Sequence, residues 1–151
     1  MSIGEFCNRE VIIAKSEDSV LEAAKLMRKY HVGDVVVVEQ RGNDRVPVGI
    51  LTDRDIVVEL VSQEVDVTKI LVRDAMSSDL LTVNENESMA ELVEHMQGKA
   101  VRRVPVVDNN GALVGIVTAD DLIDLIAEQL TSLVGMVHRE QHREWSTRII
   151  G

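Results

Sequence analysis

Two copies of one short motif contain the residues best suited to chemistry. Thr52 and Asp55 follow Gly-Ile-Leu, and Thr118 and Asp121 follow Gly-Ile-Val. Each motif lies where a strand pattern ends and a helix pattern begins, and the free N–H groups at a helix N-terminus suit a phosphate. A Thr hydroxyl can donate to a phosphate oxygen, and a carboxylate three residues later can accept hydrogen bonds from the vicinal hydroxyls of a ribose. The motifs therefore suit a small phosphorylated or ribose-bearing ligand.

The same spacing has a plainer explanation. Thr-x-x-Asp before an apolar run is also a capping box, which stabilises a helix start without any ligand. A single copy would favour that explanation. Two copies, each after Gly-Ile and an aliphatic residue, favour a shared binding role.

An internal repeat positions the two motifs. When Ser19 is aligned with Ser88, Met27 falls on Met96 and the Val-rich segment 35–38 falls on segment 104–107. A short insertion in the first copy lies at the turn around residues 41–44, and the copies realign on both sides of it. Insertions at surface turns are tolerated in duplicated folds, so we interpret the chain as a tandem repeat.

Each copy predicts the element order β-α-β-β-α. In the first copy we expect a strand at 11–14, a helix from Ser19, strands at 34–39 and 46–51, and a helix after Thr52 that carries Ile56, Val57 and Leu60 on its apolar face. In the second copy we expect strands at 80–83, 104–107 and 113–117, a helix at 88–96, and a last helix after Thr118.

The size of each copy predicts how the two pack. A unit of about 60 residues is marginally stable alone, so two copies that bury each other's apolar sheets form the better unit. We expect an α+β fold in which two β-α-β-β-α repeats pack with pseudo-twofold symmetry. The expected boundaries are repeat 1 at residues 1–62, a linker at 63–71, repeat 2 at 72–130 and a helical, polar C-terminal segment at 131–151.

Composition excludes several classes of function. The formal net charge is −10, which argues against nucleic-acid binding because such binders need a basic face. No basic and apolar leader starts the sequence, and no apolar run approaches the roughly 18–20 residues that span a bilayer. The single Cys7 cannot form an intrachain disulfide, which fits a reducing cytosol. We expect a cytoplasmic protein with no membrane or nucleic-acid partner.

The duplicated pattern resembles a tandem CBS-domain pair, also called a Bateman module. The resemblance covers roughly residues 3–127 and is strong because the segments recur in the same order. The segments that carry it are 49–55, 72–76, 103–108 and 115–121.

The resemblance implies a ligand and its site residues. Such pairs have two clefts, which usually bind adenosine compounds: AMP, ADP, ATP and sometimes S-adenosylmethionine, NAD or a cyclic dinucleotide. These act as regulatory ligands, and no obligatory cofactor is implied. By resemblance, Asp55 and Asp121 would hold ribose hydroxyls, Thr52 and Thr118 would lie at ribose or phosphate, and the backbone near Ile13-Ala14 and Thr82-Val83 would border the adenine.

The family arrangement also implies that one cleft is basic. Thr52 and Asp55 would face Arg102 and Arg103, with Arg54 beside them. Guanidinium groups there would balance the charge of a di- or triphosphate.

The opposite cleft would be acidic by the same reasoning. Thr118 and Asp121 would combine with Gly33 and Asp34, and Asp120 stands where the first copy has Arg54. That cleft should stay empty or prefer an uncharged or cationic adenosyl compound such as S-adenosylmethionine.

We therefore expect a regulatory module rather than an enzyme, because no nucleophile or acid–base pair stands out. It would sense an adenosine nucleotide, form a homodimer and signal through an unknown effector protein. The alternative is a structural dimerisation module whose clefts are vestigial. His138 and His142 could hold a metal by their spacing, but a solvated helix is favoured and no metal site is predicted.

Overall fold

The computed structural model describes residues 1–150, with side chains described through residue 146. The chain divides into two compact units, Met1–Val117 and a second that begins at Thr118. In chain order the elements of the first half are α1 (Ile3–Phe6), β1 (Ile13–Lys15), α2 (Val20–Tyr30), β2 (Asp34–Arg41), β3 (Asp44–Thr52), α3 (Asp53–Asp55) and a π-helix (Ile56–Val61). Those of the second half are α4 (Val72–Ala75), β4 (Val83–Asn84), α5 (Met89–Lys99), β5 (Arg103–Val107), β6 (Leu113–Thr118) and α6 (Ala119–Ile150).

Each repeat builds a three-stranded sheet. In the first, β1 runs parallel to β2 and β2 runs antiparallel to β3, in the order β1-β2-β3. The second has the order β4-β5-β6, with β4 parallel to β5. The valines of segment 35–38 are all buried, because β-branched side chains pack well on a pleated surface. Together with the helices, the two sheets confirm the expected α+β fold.

The longer helices α2 and α5 of the two repeats begin and end in the same way. The hydroxyl of Ser19 accepts a hydrogen bond from the Glu22 N–H at 3.1 Å, and Ser88 caps α5 in the same way. Each helix ends at a left-handed residue, His31 after α2 and Ala100 after α5. The repeat is therefore visible in the caps as well as in the sheets.

The two repeats exchange their opening segments. The backbone of Asn8 exchanges two hydrogen bonds of 2.9 Å with Ile116 in β6, and Ser77 exchanges bonds of 3.0 and 3.1 Å with Ile50 in β3. Ile3 in α1 likewise donates to the carbonyl of Glu87. The segment that opens each repeat thus pairs with the other repeat, which ties the two sheets together.

The helix after β3 differs from the sequence prediction. Ile56 and Leu60 are buried as expected, but Val57 is 57% exposed, so its place on the apolar face was wrong. The reason is the π-helical turn at Ile56–Val61, whose wider spacing rotates Val57 out of the buried stripe. The strand edges also differ, since β1 begins at Ile13 and β4 at Val83.

The second unit is one long helix. α6 runs from Ala119 to Ile150 without a break. Its apolar side chains are largely exposed, including Ile126, Leu130 and Leu133, which are 47%, 59% and 53% exposed. Within the part of the chain that is described, no helix is both long and apolar enough to cross a bilayer.

Candidate functional site

A cleft of about 260 Å³ lies at the end of β3, where the first copy of the motif begins. It is just below the usual size range of small-molecule sites. Three segments form it: the end of β3, the loop that follows α4, and the start of β5. Its lining residues are Ile50, Thr52, Ser77, Asp79, Leu80, Leu81, Val101, Arg102 and Arg103.

Three of the predicted site residues meet in this cleft. Thr52, Arg102 and Arg103 all line it, although about fifty positions separate Thr52 from the two arginines in the sequence. Two contacts join the second repeat to this edge of the first sheet: the pairing of Ser77 with Ile50 brings the loop after α4, and the ion pair of Arg103 with Asp34 holds the start of β5. A hydroxyl and two guanidinium groups together suit a phosphate-bearing ligand.

Thr52 and Asp55 form a complete capping box. The Asp55 N–H donates to the Thr52 Oγ1 at 3.0 Å, and the Thr52 N–H donates to the Asp55 Oδ2 at 3.0 Å. The Thr52 oxygen accepts in this arrangement, so its own proton can be donated elsewhere. The Asp55 Oδ1 is not part of the box. The box therefore fixes both side chains and leaves each with bonding capacity for a ligand.

The second copy of the motif repeats this geometry. The Asp121 N–H donates to the Thr118 Oγ1 at 3.1 Å, and the Thr118 N–H donates to the Asp121 Oδ2 at 3.4 Å. A role for these two residues in a second cleft stays a prediction. Asp120, the neighbour of Asp121, is exposed and has a partner of its own.

An ion pair joins the start of β5 to the first sheet. The Nε of Arg103 contacts the Oδ2 of Asp34, whose side chain is only 17% exposed. Asp34 lies opposite Thr52 in the pairing of β2 with β3, so the pair anchors Arg103 at the end of the sheet that carries Thr52. Burial raises the pKa of Asp34, the Arg103 charge opposes this rise, and Asp53 adds to it. The sequence analysis placed Asp34 in the acidic cleft and Arg103 in the basic one, whereas the structure pairs the two side chains with each other.

Other predicted residues lie outside the lining of this cleft, Asp55 among them, although its capping box keeps it next to the lining residue Thr52. Ala14 is buried in β1 and Val83 in β4, while Thr82 and Arg54 are exposed. Ile13 lines a different groove, at the other end of the first sheet.

The lining includes residues that the sequence reasoning missed. Ser77, Asp79, Leu80 and Leu81 stand where Thr82 and Val83 were expected to border a ligand. The signal that could have identified them is the alignment of Cys7 with Met76, which marks the loops after α1 and α4 as equivalent segments of the repeat.

The glycine of each motif lets the opening segment of the other repeat pack against its backbone. A Cβ on Gly49 would lie 2.5 Å from the Met76 sulfur and 2.7 Å from the Ser77 carbonyl oxygen. A Cβ on Gly115 would lie 2.6 Å from the Cys7 Sγ and 2.9 Å from the Asn8 carbonyl oxygen. Close approach by another backbone, rather than by a flat ring, therefore accounts for glycine at both positions.

The cysteine, methionine and histidine side chains are the remaining candidates for reactivity or metal binding. Cys7 is half-buried, and burial raises the pKa of its thiol, which makes it a poor nucleophile. Met27 and Met96 are each 7% exposed, which confirms their place in the core. Through residue 146, no three His, Cys, Asp or Glu side chains are grouped to hold a metal ion. His138 and His142 are exposed on α6.

Comparison with known proteins identifies the repeat. The CBS domain family model matches residues 3–62 and again residues 72–128. A protein of Methanopyrus kandleri is 38% identical over 83% of this chain, and the chain spans 62% of that protein's length. The CBS domain-containing protein YhcV of Bacillus subtilis is 36% identical, over 80% of this chain and 82% of its own.

Solved structures agree with the sequence relatives. The CBS domain pair of protein MJ0100, crystallised with 5′-methylthioadenosine and S-adenosyl-L-methionine, superposes with a TM-score of 0.71. The two chains are 28% identical, and the match covers 85% of this chain and 98% of that one. The double family match and the shared fold establish that this chain belongs to the CBS domain family and contains two CBS domains.

Proposed function

We propose that this protein is a regulatory module that binds an adenine nucleotide in the cleft beside Thr52 and signals through a partner protein. The observation that carries the proposal is the meeting of Thr52 with Arg102 and Arg103 in one cleft. The relative MJ0100, which was crystallised with two adenosyl compounds, supports the choice of an adenosyl ligand.

The chemistry of the cleft favours a phosphorylated adenosyl compound over S-adenosylmethionine. Arg102 and Arg103 supply two positive charges that would attract phosphate and repel a sulfonium. Thr52 would donate to a phosphate or ribose oxygen, and Asp55 would accept from the ribose hydroxyls through Oδ1. AMP, ADP and ATP are therefore the proposed ligands.

Phosphate binding would act on the ion pair behind the cleft. Arg103 is already held by Asp34, so a phosphate would compete with the carboxylate for the guanidinium. Because Asp34 begins β2 and Arg103 begins β5, breaking or moving this ion pair would displace the ends of strands in both sheets. This is the route by which we propose that occupancy is converted into a conformational signal.

The described surface supports a second copy as partner. The exposed apolar residues of α6 recur at helical spacing and form a stripe along one side of the helix. Exposure of such a continuous apolar surface to water is unfavourable, so we expect it to be covered. Its members include Ile123, Ile126, Leu130, Leu133 and Val137. We propose a homodimer that buries this stripe, and light scattering at micromolar concentration that gives a monomer mass would refute it.

A panel of ligands tests the proposed function. A ligand that binds only the folded state raises stability by RT ln(1 + [L]/Kd), roughly 2.7 kcal/mol at a hundredfold excess over Kd. ATP and AMP should raise the melting temperature, GMP should raise it less, and S-adenosylmethionine should have the smallest effect at this cleft. Mass spectrometry of small molecules released from the denatured protein would identify a co-purified nucleotide. Equal shifts with AMP and GMP would contradict the adenine assignment.

One observation favours a second candidate function. Both capping boxes are complete without any ligand, as a structural dimerisation module with vestigial clefts would require. Such a module would form the same dimer with no adenosyl compound raising its melting temperature. The ligand panel therefore separates the two candidates. No catalytic activity is proposed.

A further inference from the structure

A second concave surface lies at the opposite end of the first sheet, near the β2–β3 turn. It has a volume of about 490 Å³, within the ordinary range of small-molecule sites. We call it the basic groove. Its charged and polar lining includes Lys15, Ser16, Glu17, Glu39, Arg45 and Arg73.

The three cations of the basic groove reach it from separate segments. Lys15 ends β1, Arg45 lies in β3 opposite Gln40, and Arg73 lies in α4. The exchange of opening segments brings Arg73 here, because its N–H donates to the carbonyl of Ser16 at 3.0 Å. Convergence of three cations from three segments onto one concave surface is the arrangement that binds an anion.

The acids in the basic groove already have partners. Glu39 contacts Arg41 at 3.5 Å, and Glu17 accepts a hydrogen bond of 3.0 Å from the Ser16 hydroxyl. Ser16 is 4% exposed, so its buried hydroxyl fixes the position of the Glu17 carboxylate. Hydrogen bonds from a backbone N–H and from the Ser16 hydroxyl lower the pKa of Glu17, and the charges of Lys15 and Arg73 lower it further. The lining thus holds three cations against two carboxylates, a net positive charge that favours an anion, and the carboxylate oxygens can accept hydrogen bonds from ligand hydroxyls.

The second repeat shows that the fold does not need these cations. The positions equivalent to Lys15, Arg45 and Arg73 are Asn84, Gly111 and Gly4. The backbone around them is conserved within the chain, since Gly4 donates to the carbonyl of Glu85 at 2.8 Å as Arg73 does to that of Ser16.

The uncharged residues at these positions of the second repeat also make different contacts. The Asn84 side-chain amide donates to the Asn109 Oδ1 at 2.9 Å, so the second repeat joins two uncharged side chains across this position. The same backbone thus carries three positive charges at these positions in one repeat and none in the other, whose corner is reached by one guanidinium, that of Arg9, which donates to the Gly4 carbonyl at 2.8 Å and contacts Glu85 at 3.9 Å. A structural requirement for all three cations would apply to both repeats.

We propose that the basic groove binds a small phosphate monoester that carries hydroxyl groups, such as a sugar phosphate. The phosphate would lie against Lys15, Arg45 and Arg73, and the hydroxyls would donate to Glu17 and to the Gln40 side-chain oxygen. The site is separate from the cleft beside Thr52 and does not depend on the function proposed for that cleft.

Amide chemical shifts in a titration at low ionic strength test this proposal, with inorganic phosphate and glucose 6-phosphate as probes. The expected result is saturable shifts at Lys15, Ser16 and Gln40, with tighter binding of glucose 6-phosphate than of phosphate. Glucose alone should cause none. Citrate tests whether carboxylates serve equally well. Saturable shifts from glucose, or citrate binding as tightly as glucose 6-phosphate, would overturn the proposal.

Matched variants locate the binding. The substitutions Lys15→Asn, Arg45→Gln and Arg73→Gln together should weaken glucose 6-phosphate at least tenfold. The control Lys25→Gln, Arg28→Gln and Lys69→Gln removes the same charge from exposed positions outside the groove and should leave the affinity unchanged.

A further variant separates the two sites. The pair Arg102→Gln and Arg103→Gln should retain binding in the groove. Undiminished binding in the groove variant, or equal loss in the control, would overturn the proposal, as would the absence of saturable shifts in the parent. Dispersed amide spectra show that each variant is folded.

Discussion

A methyl group added at Gly49 should separate the exchanged segment from the first sheet. The new Cβ would lie 2.5 Å from the Met76 sulfur and 2.7 Å from the Ser77 carbonyl oxygen. The Met76 side chain can rotate away, but Ser77 is held by two backbone hydrogen bonds to Ile50 at 3.0 and 3.1 Å. Gly49→Ala must therefore move the backbone of the loop that lines the cleft.

The magnitude follows from known effects of overpacking. Inserting a methyl group into a close-packed contact costs about 1–3 kcal/mol. For a chain of this length, each kcal/mol lowers the melting temperature by about 2–4 °C. Gly49→Ala should thus lower the free energy of unfolding in urea by about 1–3 kcal/mol and the melting temperature by roughly 2–12 °C.

Gly98 provides the matched control. It lies inside α5, and a Cβ there would meet nothing within 4 Å. Gly98→Ala should stabilise the protein by about 1 kcal/mol, because Ala is the better helix former. Urea unfolding of both variants is the assay. A Gly49→Ala variant as stable as the parent would refute the account of how the two repeats are joined.

Four further predictions follow from individual contacts. Ser19→Ala should destabilise the protein by about 1 kcal/mol in urea unfolding, because it removes the N-cap of α2. Cys7 should react with iodoacetamide at pH 7 more slowly in the folded than in the denatured protein, because burial raises the pKa of its thiol. Because the pKa of Asp34 is raised in the folded state, protonation of its carboxyl stabilises the fold. This contribution to the free energy of unfolding is fully present below the ordinary Asp pKa of 3.8 and is lost as the pH rises through the pKa of Asp34 in the folded protein. Asp34→Asn should flatten that part of the stability profile, and removal of its partner by Arg103→Gln should steepen it.

Periodicity and duplication predict most of the fold. The alignment of Ser19 with Ser88 anticipates the capped helices, and the Val-rich segments 35–38 and 104–107 anticipate the central strands of both sheets. These features depend on local sequence or on the repeat, so a single sequence is enough to predict them. The meeting of Thr52 with Arg102 and Arg103 was reached through the family resemblance.

The features that escaped prediction depend on tertiary contacts. The π-helical turn that exposes Val57 departs from regular α-helical spacing, and the pattern of residue types does not indicate it. The exchange that brings Ser77 to Ile50 and Arg73 to Ser16 joins segments that are distant in sequence. The basic groove escaped notice for that reason, since its three cations come together only in the fold.

Calorimetric titration with ATP tests the central claim most directly. The account predicts saturable binding to the parent protein, at least tenfold weaker binding to the variant Arg102→Gln with Arg103→Gln, and unchanged binding to the control Lys25→Gln with Arg28→Gln, which loses the same charge. Binding that the Arg102 and Arg103 substitutions leave intact, or no binding of any adenosyl compound, would contradict the assignment of this cleft as an adenine-nucleotide site.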